Sequence, residues 1–225
     1  TTFAQIGNVR LGLSALANNS GVYNTAVGTE ALRFNNGGTY NAAFGWRGLY
    51  KNTSGNFNVA MGYQALLNNT AGSSNIGIGN QTLMANSTGY DNTAVGKLAL
   101  TANTTGYGNV AIGNEVLKTN VGGRFNTGMG DWALRFNTTG IKNAAGGNNA
   151  LHKNTTGSHN AAWGNWALVN NTSGESNAAI GNETLLQNET GDYNSGIGWR
   201  AGATGKKNFS CTYLGTDAAN SDTSS

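Results

Sequence analysis

An asparagine returns every 17 residues, at positions 24, 41, 58, 75, 92, 109, 126, 143, 160, 177 and 194. A glycine follows four residues later each time, from Gly28 to Gly198, and a leucine eight residues later ten times running, from Leu32 to Leu185. A period held over such a length means stacked copies of one structural unit. Seventeen residues are too few for a helix pair with its turns, which needs roughly 33, or for a leucine-rich repeat, which needs about 20. Asn and Gly also disfavour helix interiors. The remaining solution is one coil of a parallel β-solenoid. Successive coils then lie about 4.8 Å apart, and equivalent residues form ladders.

With the asparagine at offset zero, Asn, Gly, Leu, Asn and Gly occupy offsets zero, +4, +8, +11 and +14 without exception in the ten coils from Asn24 to Tyr193. A shorter coil begins at Asn8, and a divergent one places Cys211 and Gly215 at the Asn and first Gly positions. The expected organisation is a lead-in over 1–7, a solenoid array over 8–202, and a divergent last coil with a tail over 203–225.

Offsets zero to +3 read as a first strand. Offset +2 is small (Ala26, Ala43, Ala60, Gly77, Ala94), whereas +3 is mostly large and apolar (Val27, Phe44, Met61, Ile78, Val95). Neighbours on a strand face opposite sides, so one face is confined and the other tolerates size. Gly146 and Trp163 are stack neighbours at +3, where the ring fills the gap left by the glycine. The glycine at +4 marks a corner where a Cβ would clash or φ is positive. Offsets +5 to +9 read as a second strand, with the unvarying leucine in a closed slot. The Asn-Thr-Thr-Gly run, as in Asn103 to Gly106, reads as a type I turn whose Asn side chain caps a backbone N–H. The asparagine at offset zero is expected to act similarly at the opposite edge, with stacked amides bonding along the ladder.

Proline is absent, which suits a stack in which interior strands donate N–H groups to their neighbours. Only 10% of residues are charged and the net charge is +3, too weak and diffuse for nucleic-acid binding. No stretch of 18 apolar residues predicts membrane insertion. The first residue is Thr and no signal-peptide pattern opens the chain, as expected of a processed product or a piece of a longer one. Lone Cys211 reads as a small buried residue in place of Asn. The apolar side chains at +1 and +3 would leave a sticky stripe on a monomer. Closed association along that stripe, as a homotrimer or another closed oligomer, removes it.

The segments Asn24 to Leu32, Asn58 to Leu66 and Asn92 to Leu100, with turns such as Asn103 to Gly106, resemble the Asn-Thr-Ala-Val-Gly-Tyr-Gln-Ala-Leu repeat of bacteriophage tail fibres and of bacterial surface fibres that end in an endosialidase-type chaperone domain. The resemblance covers about residues 8–202. The Ala-Ile-Gly steps at 111–113 and 179–181 are distantly similar to the heads of trimeric autotransporter adhesins. These resemblances imply a left-handed, trimeric parallel β-roll located outside the cell, on a cell surface or on a virion.

Catalytic chemistry needs convergent groups, and the sequence offers few. The glutamates at +6 (Glu30, Glu115, Glu183) lie several coils apart, beyond the roughly 5–9.5 Å separation of a glycosidase acid pair. Glu175 and Asp192 stack at +15, but on a turn. His152 and His159 sit at different offsets without a carboxylate or Cys partner. No catalytic, metal or cofactor residue is therefore assigned, and an enzyme is not expected.

Binding candidates are richer. Trp46 and Tyr63 stack at +5, Trp132 and Trp166 lie at +6, and Trp199 lies at +5. Such rings can grip sugar faces or shield a seam between chains. Asn52, Asn86, Asn103, Asn137, Asn154, Asn171 and Asn188 each open an Asn-X-Ser/Thr pattern and are candidate glycosylation positions, although turn chemistry also accounts for them. Arg47 over Glu30 and Arg200 over Glu183 are expected to pair at +6. The expected function is a structural shaft that spaces or displays a binding tip. The alternative is an adhesin that binds cell-surface glycans through its aromatic ladders.

Overall fold

The computed structural model describes residues 7–219. They form two compact units, one ending at Asn109 and the other starting at Val110. The protein is an all-β parallel solenoid. In the first unit, three-residue strands run from β1 (Val9–Leu11) through β2 (Thr25–Val27), β3 (Ala42–Phe44), β4 (Val59–Met61) and β5 (Ile76–Ile78) to β6 (Thr93–Val95). Each strand pairs in parallel with the next in chain order, as in Ala42↔Val59 and Phe44↔Met61. In the second unit the strands run from β7 (Val110–Ile112) through β8 (Thr127–Met129), β9 (Ala144–Gly146), β10 (Ala161–Trp163), β11 (Ala178–Ile180) and β12 (Ser195–Ile197) to β13 (Thr212–Leu214). Their register is again one repeat, as in Ala161↔Ala178 and Trp163↔Ile180. No helix among the described residues is long and apolar enough to cross a membrane.

The strand alternates as the pattern predicts. Ala43, Ala60 and Ala94 at +2 are fully buried, whereas Phe44 and Met61 at +3 face outward. Gly28 at +4 has φ 134°, and a Cβ there would meet Gly45 O at 2.5 Å. Both reasons for a glycine therefore hold at this corner.

The second strand does not form. Offsets +6 and +8 adopt left-handed backbone, as in Glu30 (φ 60°) and Leu32 (φ 50°), or Trp166 (φ 62°) and Leu168 (φ 51°). A straight strand would carry the chain past its own coil. Alternating the hand around Ala at +7 folds it inward instead. This conformation costs roughly 1–2 kcal/mol per non-glycine residue. Hydrogen bonds between coils offset it. Gln64 N–H donates to Trp46 O at 3.0 Å in the preceding coil, and Leu49 N–H to Ala65 O at 3.0 Å in the following one. The leucines thus enter the expected closed slot, and Leu32, Leu66, Leu100, Leu134 and Leu168 have no exposed surface.

The other half of the interior is polar, and its bonding differs from a capped turn. Asn41 Nδ2 donates to Gly55 O at 2.9 Å and to Asn24 Oδ1 at 3.1 Å, and Asn41 N–H donates to the same Oδ1 at 2.9 Å. Asn52 Nδ2 donates to the same Gly55 O at 2.9 Å and to Asn35 Oδ1 at 2.6 Å. Two amide ladders therefore converge on one glycine carbonyl in each coil, rather than occupying opposite edges. In these regular coils the turn asparagine donates to a carbonyl instead of capping an N–H. The second unit repeats the arrangement: Asn143 Nδ2 and Asn154 Nδ2 reach Gly157 O at 2.8 and 2.9 Å. A Cβ at Gly157 would lie 2.4 Å from Gly174 O, which explains the glycine at +14.

The divergent C-terminal coil is a repacked one. Gly202 replaces the slot leucine, and the Tyr213 ring from the next coil enters that space, so a Cβ at Gly202 would lie 2.5 Å from Tyr213 Cδ2. Gly205 replaces the turn asparagine, and the Asn208 amide occupies its place. Asn208 Nδ2 donates to Tyr213 Oη at 2.5 Å, while Asn208 O accepts from Asn194 Nδ2 at 2.7 Å. The turn ladder ends at Asn188, whose Oδ1 is buried without a partner. Cys211 is half-buried rather than buried, and its thiol donates weakly to Phe209 O at 3.5 Å.

Candidate functional site

Three surface features have the scale of a functional site. The first is the outward strand face. In the first unit Phe44, Met61 and Ile78 line it at +3, each more than a third exposed. In the second unit Ile112, Met129, Trp163, Ile180 and Ile197 do so. Trp163 lies across Gly146, where a Cβ would sit 2.2 Å from Trp163 Cε3. The ring fills the glycine's gap, as its register position implies, and keeps the face continuous.

The second feature is the row at +6. Arg47 Nε pairs with Glu30 Oε2 at 2.6 Å, and Arg33 pairs with the same carboxylate. The Arg47 hydrogen bond holds the Glu30 carboxyl below its ordinary range, and Glu30 in turn raises the Arg47 guanidinium. In the second unit Arg135 Nη2 and Lys118 Nζ approach Glu115 Oε2 at 2.6 and 3.2 Å. Burial pushes Glu115 upward, but the two cations outweigh it and its pKa is lowered. Arg200 Nε lies 3.4 Å from Glu183 Oε2, as the register predicts, and Gln81 Nε2 donates to Gln64 Oε1 at 3.0 Å. These contacts fix register along the row.

The third feature is aromatic. Trp46 and Tyr63 stack at 4.9 Å with planes 18° apart, and the Arg47 guanidinium lies 4.2 Å from the Trp46 ring centre. Tyr90 and Tyr107 stack at 4.6 Å. A further ladder, Tyr23–Tyr40–Phe57, each ring one residue before an offset-zero asparagine, stacks at 5.0 and 5.1 Å. Its signal was available in the identical spacing of three rings. Stacking covers ring faces and leaves mainly edges to solvent, which disfavours sugar binding on faces within these ladders.

The remaining candidate rings differ among themselves. Arg200 lies 5.2 Å from the Trp199 ring centre. Arg135 lies 5.9 Å from that of Trp132, and His152 packs edge-on at 6.4 Å. Trp166 is half exposed and has no ring or guanidinium partner among the described residues. It walls a groove of about 360 Å³ together with Val169, Leu186, Lys153, Asn170 and Gln187. His152 also lines this groove; its Nδ1 lies 3.2 Å from Trp132 O, and burial pushes its pKa down.

Other sequence candidates find quieter places. Asn52, Asn86, Asn103, Asn137, Asn154, Asn171 and Asn188 are all buried. Each Nδ2 donates to a glycine carbonyl, as Asn103 does to Gly106 O at 2.9 Å. A glycan on any of them would require that coil to open. Asp192 Oδ1 accepts the Glu175 N–H at 2.7 Å, so this acidic pair ties the turns of two neighbouring coils together. No group of three or more His, Cys, Asp or Glu among the described residues is placed to hold a metal ion. No family model, curated protein or solved structure matches this chain.

Proposed function

We propose that this protein is the structural shaft of an extracellular or virion fibre, which spaces or displays a binding tip. The observation that carries the reading is the outward strand face. The interior of each unit satisfies itself, with Leu100 and Asn92 both fully buried, yet Ile78 at +3 still presents its side chain outward. An apolar row on a flat β-face, one residue per coil, is the surface that closed association would cover. A homotrimer covers each stripe once and leaves no open edge for further addition. The charged and amide row at +6 then remains toward solvent. The reading assigns no catalytic role.

The test is the oligomeric state of the purified chain at micromolar concentration, measured by light scattering with negative-stain imaging. A trimer or other closed oligomer is expected. Ile78→Lys with Ile180→Lys, one in each unit, should release folded monomers. A monodisperse monomer of the unaltered chain would overturn the proposal.

A further inference from the structure

We infer that the groove beside Trp166 binds a single pyranose ring of a saccharide. The inference stands independently of the shaft reading, because it rests on a different surface. It starts from a comparison within the second unit. Trp132 and Trp166 occupy the same offset, +6, in different coils. At +9 of the Trp132 coil stands Arg135, whose guanidinium lies 5.9 Å from the indole centre. At +9 of the Trp166 coil stands Val169, which is too short to reach over the ring. His152 packs edge-on against Trp132 from the following coil, whereas the corresponding residue beside Trp166 is Leu186. The substitution of Val for Arg at +9 therefore uncovers one indole and leaves an apolar floor next to it.

The groove has the composition that sugar rings require. A pyranose has an apolar C–H face and a periphery of hydroxyls. The indole of Trp166 is half exposed and lines the groove, with Val169 and Leu186 beside it and Asn149 next to it at the same offset. The rim offers donors and acceptors on several sides. Lys153 Nζ donates to Asn170 Oδ1 at 2.8 Å, and Asn170 Nδ2 donates to Leu186 O at 2.9 Å. That chain holds the ammonium at the rim and leaves it further N–H groups to donate. The Gln187 amide lies on the same rim. With its Nδ1–H donating to Trp132 O, the His152 ring keeps Nε2 as an acceptor.

The volume, about 360 Å³, lies at the low end of small-molecule sites, roughly 300–1,000 Å³, and suits one ring rather than an oligosaccharide. No carboxylate lines the groove, so it has no acid pair for glycoside hydrolysis. The site binds without cleaving, and affinity for a single ring is low, because one platform and a few rim groups bury little of the ligand.

The test uses saturation-transfer NMR on the full chain with the methyl glycosides of glucose, galactose, mannose and glucuronic acid as probes. Transfer to at least one probe is expected, and the neutral and acidic arms distinguish whether Lys153 acts as a hydroxyl donor or as a carboxylate partner. Trp166→Ala should abolish the transfer, and Trp199→Ala should leave it unchanged. Val169→Arg is the sharper variant. Position +9 already carries arginine at Arg33 and Arg135, so the coil accepts the change, but it replaces the Val169 part of the floor with a guanidinium against the indole and should weaken binding at least about tenfold. Circular dichroism would establish that each variant folds. Absence of transfer to all four glycosides would overturn the inference, as would transfer unaffected by Trp166→Ala in a folded chain.

Discussion

Asn41 Oδ1 accepts two hydrogen bonds from Asn58, one from its backbone N–H at 3.0 Å and one from its side-chain Nδ2 at 3.1 Å. The second Nδ2 proton of Asn58 goes to Gly72 O at 2.9 Å. Every polar atom of this buried amide is therefore used: one Nδ2 proton reaches the preceding coil, the other closes Asn58's own coil, and Oδ1 accepts from Asn75 in the next.

Asn58→Asp tests that arrangement. The change is nearly isosteric, but it removes both side-chain donors and points a carboxylate at Asn41 Oδ1 and Gly72 O, with no cation within the ladder. Leaving buried acceptors unpaired costs about 1–3 kcal/mol, and an uncompensated buried charge costs more. Chemical denaturation should show a loss of at least about 3 kcal/mol. The same change at half-buried Asn56 should cost less: its Oδ1 accepts the Thr39 N–H at 2.8 Å, a bond a carboxylate accepts equally well, and its Nδ2 bond to Ser54 O lies at the surface.

The apolar half of the coil makes a parallel prediction. Leu100 has no exposed surface and sits at φ 50°, so truncation leaves a cavity without relieving the backbone. Leu100→Ala should cost about 2–5 kcal/mol. Leu100→Asp should prevent the coil from closing, seen as loss of amide protection around residues 83–109. Protection in that segment equal to that of the unaltered chain would show that the slot is not closed.

These two halves were not equally readable in the sequence. The period, the confined +2 face and the corner glycines each follow from a steric requirement that only one or two residue types meet. Gly28 and Gly157 announce themselves in that way. The left-handed backbone at +6 and +8 does not. Glu30, Trp166 and Leu32 are not residues that favour positive φ, so the stretch reads as a strand. The stack imposes that conformation through bonds such as Gln64 N–H to Trp46 O, which no local window contains. The same limit applied at the candidate site. Spacing showed that Trp46 meets Tyr63 and that Trp132 and Trp166 share an offset. Only side-chain packing showed that Arg47 and Arg135 lie against indoles while Trp166 has no such partner among the described residues.

The titrating groups give a pH prediction with a defined sign. Burial lowers the pKa of His152 below its ordinary value of 6.5. As pH falls through 6.5 the unfolded chain takes up a proton before the folded chain does, so stability declines toward acid and levels off below the folded pKa. Glu30 and Glu115 also have lowered pKa values, against an ordinary 4.5. Their contribution is present above about pH 4.5 and is lost as pH falls through the folded values. Thermal unfolding should therefore show two steps of loss. His152→Gln should flatten the first, which begins as pH falls through 6.5, without changing the second. Equal slopes in both proteins over the first interval would show that His152 is not the group responsible.

Gly202 and Tyr213 supply the last prediction, a repacking cycle within the second unit. In each preceding regular coil the slot is filled by that coil's own leucine, as with Leu185. Here Gly202 leaves it empty at φ 65°, and Tyr213 fills it from the following coil. Burial and its contact with Cys211 push the Tyr213 hydroxyl up to about 12, so it stays neutral as it accepts the Asn208 amide proton. Tyr213→Ala should empty the slot and cost about 2–5 kcal/mol. Gly202→Leu alone should also destabilise, because its Cβ would meet Tyr213 Cδ2 at 2.5 Å. The backbone itself accepts leucine, since Leu185 adopts φ 51° at the same offset. The double variant Gly202→Leu, Tyr213→Ala therefore restores the regular coil. It should be more stable than either single variant, by an interaction energy of at least about 1 kcal/mol in a denaturation cycle. Additive losses would mean that the ring and the slot are energetically independent, and that the last coil is held by its amide and backbone bonds instead.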